Sequence, residues 1–197
     1  MICNYCGKNS RLVQQQGFTL IELMITIMIA AILVTLALPS FKEITLRNNV
    51  TSTTNRLIHD LNLARSEATS RGTLVAVVSK SGSNNWSSGW DVEPVKSDGT
   101  VPSPATLLHS DAGVDSGSGY KVTAKAFAGV ATGSGPTASD SRVIFTAQGN
   151  LIPKAQSYQI NVCRPDSKPK LSQWITVMAS GIVRSQIDTS SSSAPGC

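Results

Sequence analysis

From Phe18 to Leu38 every side chain is apolar except Thr19, Glu22, Thr26 and Thr35. At the helical rise of 1.5 Å per residue this run is roughly 31 Å long, close to the hydrocarbon thickness of a bilayer. Ile, Leu, Met, Ala and Val occur all round the helix, so no face is left for water. A chain of 197 residues offers little core in which to hide such a helix. The run therefore reads as a membrane-spanning helix over 18–38. An unpaired carboxylate at membrane depth costs about 3 kcal/mol or more, so Glu22 requires a neutralising partner or headgroup water within reach.

The flanks set the orientation. Residues 1–17 are hydrophilic, carry Lys8 and Arg11 and contain no acidic residue. Positive charge ahead of a first span holds that end in the cytoplasm and sends the rest of the chain across. A secretory signal would place a small-residue cleavage site after its apolar stretch. Here the small residue, Gly17, precedes the stretch, and the chain continues through Pro39 into another helical pattern.

Gly17-Phe18-Thr19-Leu20-Ile21-Glu22, followed by an apolar helix with Pro39, resembles the processing and assembly segment of type IV pilins and type II secretion pseudopilins. That resemblance implies a membrane peptidase that cuts between Gly17 and Phe18 and methylates the new amino terminus of Phe18. It also makes Glu22 the carboxylate that acts in assembly. The cationic terminus of a neighbouring subunit would offset the cost of Glu22 only when the two helices are in register, as buried polar groups fix register elsewhere.

Beyond Pro39, Leu46, Val50, Leu57, Leu61, Ala64 and Ala68 recur at spacings of three or four, counting through Thr54. Arg47, Asn48, Asn49, Arg56, Asp60, Arg65 and Glu67 fall mostly elsewhere, which predicts an amphipathic helix with one apolar stripe. Gly72 is placed to cap it after Arg71. Pro39 removes a backbone hydrogen bond and is expected to kink the helix near 35–39.

From Leu74 the chain becomes rich in Gly, Ser and Thr, with short apolar alternations that read as strands at 74–78, 89–92, 106–108, 120–123, 142–145, 157–163, 174–177 and 181–184. Turn signals such as Asp98-Gly99 and Gln148-Gly149-Asn150 separate them. The fold class is α+β: a long, kinked N-terminal helix on a mostly antiparallel β head, as in type IV pilins. The expected segments are a cleaved leader 1–17, a transmembrane and assembly helix 18–38, a stalk helix 39–71, a β-rich head 72–187 and a Ser-rich tail 188–197. The order Asn85-Trp86-Ser87-Ser88-Gly89-Trp90-Asp91-Val92, Val143-Ile144-Phe145-Thr146-Ala147-Gln148-Gly149, Val162-Cys163-Arg164 and Ser180-Gly181-Ile182-Val183-Arg184 resembles GspH/FimT-type minor pilins and pseudopilins. Trp86, Trp90 and Trp174 read as core or turn packing.

Cys163 and Cys197 lie in the part sent to an oxidising space, so a disulfide is expected. Closing a loop of about 35 residues would contribute roughly 3–4 kcal/mol on the chain-entropy estimate. Cys3 and Cys6 form a Cys-x-x-Cys in the leader, with no partner ligands or fold nearby to make a metal or redox site. Net charge is +5, of which Lys8 and Arg11 supply two, too mild a balance to demand nucleic acid.

No catalytic motif, phosphate loop or cofactor site is legible, and His59 and His109 are expected to have no nearby metal-ligand partners. FimT-like members implicated in DNA uptake carry Gly-Arg-x-Arg near Gly181; here Ile182 stands at the first Arg and only Arg184 matches. With Arg164, Lys168 and Lys170 it could form a short basic surface toward DNA, although phosphate binding needs several cations acting together. The reading is a structural, non-enzymatic subunit without cofactors, of the bacterial inner membrane with its head in the periplasm. Its partners are a prepilin peptidase and other pilins or pseudopilins in a type II secretion pseudopilus or a type IV pilus. A DNA-binding minor pilin for natural transformation is the alternative.

Overall fold

The computed structural model describes residues 17–102, 106–114, 117–127, 141–152, 156–166 and 171–187, apart from the side chains of 36–40. Cys197, Lys168, Lys170, the leader before Gly17 and the tail from 188 lie outside the described residues. Helix α1 runs Leu20–Arg71 and its assignment continues through Pro39. The expected kink falls on side chains outside the description. The chain divides into two compact units, 1–43 and 44–197.

In the first unit the large apolar side chains of α1 are exposed on all sides, Leu20 at 77%, Ile25 at 51% and Ile32 at 62% among them. Among the described residues no helix is long and apolar enough to cross a membrane.

In the second unit the predicted stripe is the spine of the core. Val50, Leu57, Leu61, Ala64 and Ala68 are completely buried, and Leu46 packs against the same cluster. Burying each Leu contributes about 1.5–3 kcal/mol. Asp60 departs from expectation. It is 1% exposed and sits inside the stripe, three residues after Leu57 and four before Ala64. Those spacings share one helical face, so a carboxylate occupies a core position. The helix ends as expected: Gly72 takes φ +64° and the Thr73 N–H donates to the Ala68 carbonyl at 3.3 Å, reaching back over the last turn.

Nine strands follow among the described residues: β1 Leu74–Ser79, β2 Trp90–Val95, β3 His109–Asp111, β4 Lys121–Phe127, β5 Arg142–Phe145, β6 Leu151–Ile152, β7 Ser157–Cys163, β8 Gln173–Val177 and β9 Val183–Ile187. One antiparallel sheet has the order β3-β2-β1-β5-β6 and the other β4-β7-β8-β9. Alternating residues of both sheets meet the helix stripe in the main core, while Ala76, Val95 and Ile144 form a smaller buried cluster on the other face of the first sheet. Val77 lies between Val92 and Val143 in the first sheet, and Ile160 between Ala124 and Ile175 in the second. Trp86 and Trp90 are the largest fully buried side chains. Trp174 is half-buried and donates its indole N–H to Gln186 at 2.8 Å. Hydrogen bonds outside the ladders sew the two sheets together: Trp86 N–H to Val122 at 2.7 Å and Leu151 N–H to Ala179 at 2.9 Å.

The expected strand at 106–108 is displaced to His109–Asp111, which pairs with Trp90–Val92. This edge strand is polar because an edge strand need not bury both faces. The expected strand at 181–184 begins later, at Val183, since Gly181 turns the chain at φ +77°. Strand β6 has no counterpart among the expected strands; two residues are too few for an alternation to register.

Candidate functional site

The N-terminal motif forms a helix cap. Thr19 precedes α1, and its Oγ1 accepts the Glu22 N–H at 3.3 Å while its carbonyl accepts the Leu23 N–H at 3.1 Å. Thr-x-x-Glu is the capping-box pattern, which puts Glu22 at the third helical position, where the helix dipole favours an anion. That signal is in the sequence and complements the assembly argument. The other two threonines turn back on the helix: Thr26 Oγ1 donates to the Leu23 carbonyl at 2.8 Å and Thr35 Oγ1 to that of Ile32 at 2.7 Å. Each hydroxyl in the stretch is thereby satisfied within the chain. The exposed Glu22 carboxylate has no partner among the described residues. Gly17 and Phe18 stand before the helix, Phe18 at 82% exposure, and a side chain at Gly17 would meet nothing within 4 Å.

Two of the sequence cues in the head converge on the stalk. Arg65 of α1 donates Nε to the Gly149 carbonyl at 3.1 Å and Nη2 to that of Ser180 at 3.4 Å. A Cβ on Gly181 would come within 1.8 Å of the Gly149 carbonyl oxygen, so this crossing of two turns demands glycine. The Gln148-Gly149 and Ser180-Gly181 turns thus form the lock that holds helix to head.

The basic surface fares differently. Arg184, on β9, is exposed. Arg164 has a side chain 1% exposed and makes a two-pronged pair with Asp166, at 3.1 Å from Nε and 2.8 Å from Nη2. It is thereby corrected from a phosphate ligand to a buried structural cation. Cys163, at the end of β7, is 2% exposed and disulfide-bonded; its expected partner, Cys197, lies outside the described residues.

A polar cluster that the sequence did not foretell lies between α1 and β3. The buried Asp60 accepts the Trp90 indole N–H on Oδ2 at 2.7 Å, and its Oδ1 faces His59 Nδ1 at 2.9 Å and His109 Nε2 at 3.5 Å. Beside it, Asp111 Oδ1 accepts from Arg56 at 3.1 Å and from the Gly113 N–H at 2.7 Å, and Arg56 also donates to the Gly113 carbonyl at 2.8 Å. The two histidines therefore converge on one carboxylate, that of Asp60, which directly follows His59 in the chain, and this corrects the expectation that neither has a ligating partner nearby. Their separation along the chain, about 50 residues apart on a helix and an edge strand, hid this. On β2, Glu93 is 6% exposed, and its carboxyl is held above the ordinary range first by burial and then by Asp91, with Arg142 opposing.

Comparisons with known proteins agree with these features. The family model described as Type II transport protein GspH matches residues 53–181, and that of the Prokaryotic N-terminal methylation motif matches 13–38. A crystal structure of the type IV minor pilin FimU of Pseudomonas aeruginosa (strain PAO1), in space group P21, is similar with a TM-score of 0.54 and 19% identity, over 74% of this chain and 94% of that one. The same pilin in space group P65 gives a TM-score of 0.53 and 18% identity, over 72% and 96%. No curated protein sequence matches the chain. The long N-terminal helix with antiparallel sheets is thus a fold shared with a minor pilin.

Proposed function

This chain belongs to the GspH family of type II transport proteins, and from that premise we propose a structural minor pseudopilin or pilin subunit, processed at its N-terminus and built into an inner-membrane-based filament. A prepilin peptidase cuts between Gly17 and Phe18 and methylates Phe18. The helix from Phe18 anchors the subunit as a single pass before assembly, with the head in the periplasm, where Cys163 pairs with Cys197. In the filament the same helix packs among its neighbours, and Glu22 meets the cationic terminus of an adjacent subunit.

The observation that carries this reading is the uneven treatment of polar groups in the N-terminal helix. Three threonines are satisfied within the chain, and one carboxylate has no partner among the described residues. Such a partner contributes only when subunits stack in one register, so Glu22 converts an unspecific apolar contact into a specific one. The DNA-binding alternative keeps Arg184 as its exposed cation, while Arg164 is occupied by Asp166 and Lys168 and Lys170 lie outside the described residues.

Intact mass and N-terminal sequencing of the chain from its native membrane test the processing step. The expected product begins with N-methylated Phe18, and a bulky replacement such as Gly17→Trp leaves the unprocessed form. Normal maturation of that variant would refute the cleavage site.

A further inference from the structure

We propose that Asp60, His109 and Asp111, with His59 at the rim, form a binding site for a zinc-class transition-metal ion that ties the edge strand β3 to the stalk helix. The donor atoms of Asp60, His109 and Asp111 all lie within 4.8 Å of one another. Tetrahedral zinc with bonds near 2.0–2.2 Å separates its ligand atoms by about 3.3 Å. The 3.5 Å from Asp60 Oδ1 to His109 Nε2 is already close to that, and His59 Nδ1 stands 2.9 Å from the same oxygen.

The surroundings orient the donors. The Trp90 indole holds Asp60 Oδ2, which directs Oδ1 toward the imidazoles. The Gly113 N–H binds Oδ1 of Asp111 at 2.7 Å and fixes the plane of that carboxylate. Outer contacts of this kind make a ligand set rigid. Mixed imidazole and carboxylate donors suit zinc and its neighbours in the first transition row, whereas calcium and magnesium favour an all-oxygen shell. An entry path exists from the histidine side, because His109 is 44% and His59 70% exposed while Asp60 and Asp111 are buried. Arg56 is the opposing element: its guanidinium neutralises Asp111 and competes with a cation there.

The test is calorimetric titration of zinc chloride into the full chain in detergent, with Cys3→Ser and Cys6→Ser so that the leader thiols cannot take the metal. Saturable binding of one equivalent is expected, with an upward shift in Tm by mass action. His109→Gln, at a half-exposed position, is expected to weaken binding about tenfold or more. Arg56→Gln is expected to tighten it, even as it removes a contact from the metal-free protein. Magnesium should produce no shift. An absence of saturable zinc binding, or equal affinity in His109→Gln, would overturn the proposal, as would weaker binding in Arg56→Gln.

Discussion

Helix α1 lives in two environments. Over residues 20–35 its large apolar side chains are exposed, and its threonines bond within the helix or cap it. Over 44–71 one stripe is buried in a core with two sheets, and the polar residues beside it reach outward to fix loops: Arg56 to Gly113, Arg65 to Gly149 and Ser180. One element of secondary structure thus carries two kinds of information. The second half is covered by its own chain, whereas the large apolar side chains of the first are left exposed.

Truncation should therefore act very differently on the two halves. Leu61→Ala, which empties a fully buried position, is expected to destabilise the folded head by about 2–5 kcal/mol in urea unfolding. Ile25→Ala, at an exposed position, should change the same unfolding free energy by no more than about 0.5 kcal/mol. Similar losses from both would erase the distinction. Asp60→Ala leaves the buried Trp90 indole N–H without its acceptor, and a cost of about 1–3 kcal/mol is expected. Trp90→Phe combined with it should cost less than the sum of the two changes, measurable by a double-mutant cycle.

The smallest effect is a pH dependence. Glu93 has a carboxyl raised from its ordinary value of 4.5, chiefly by burial. The folded state then binds this proton more tightly than the unfolded chain, so an ionised Glu93 costs stability above the raised pKa. Below 4.5 both states are protonated and the cost disappears. Glu93→Gln should accordingly raise Tm at pH 7, and the gain should fade as pH falls toward 4. A gain that grew on acidification would contradict this sign.

Much of the architecture was legible because it rests on periodicity. The stripe from Val50 to Ala68 and the cap at Gly72 follow from helical spacing, and strands at 142–145 and 157–163 follow from their alternation. What escaped depends on tertiary partners. Asp60 looked like a surface charge because its indole donor is 30 residues away, and β3 was expected at 106–108, a few residues early, because a polar edge strand shows no alternation of its own. Arg164 read as a free cation two residues from the Asp166 that captures it. The Thr19–Glu22 cap could have been found from its spacing alone.

The assembly role of Glu22 is tested most directly by Glu22→Gln, which keeps the size of the side chain and removes its charge. The measurement is the amount of subunit recovered in sheared filaments relative to the membrane fraction. The account predicts normal membrane levels and loss from filaments; unchanged recovery in filaments would contradict it.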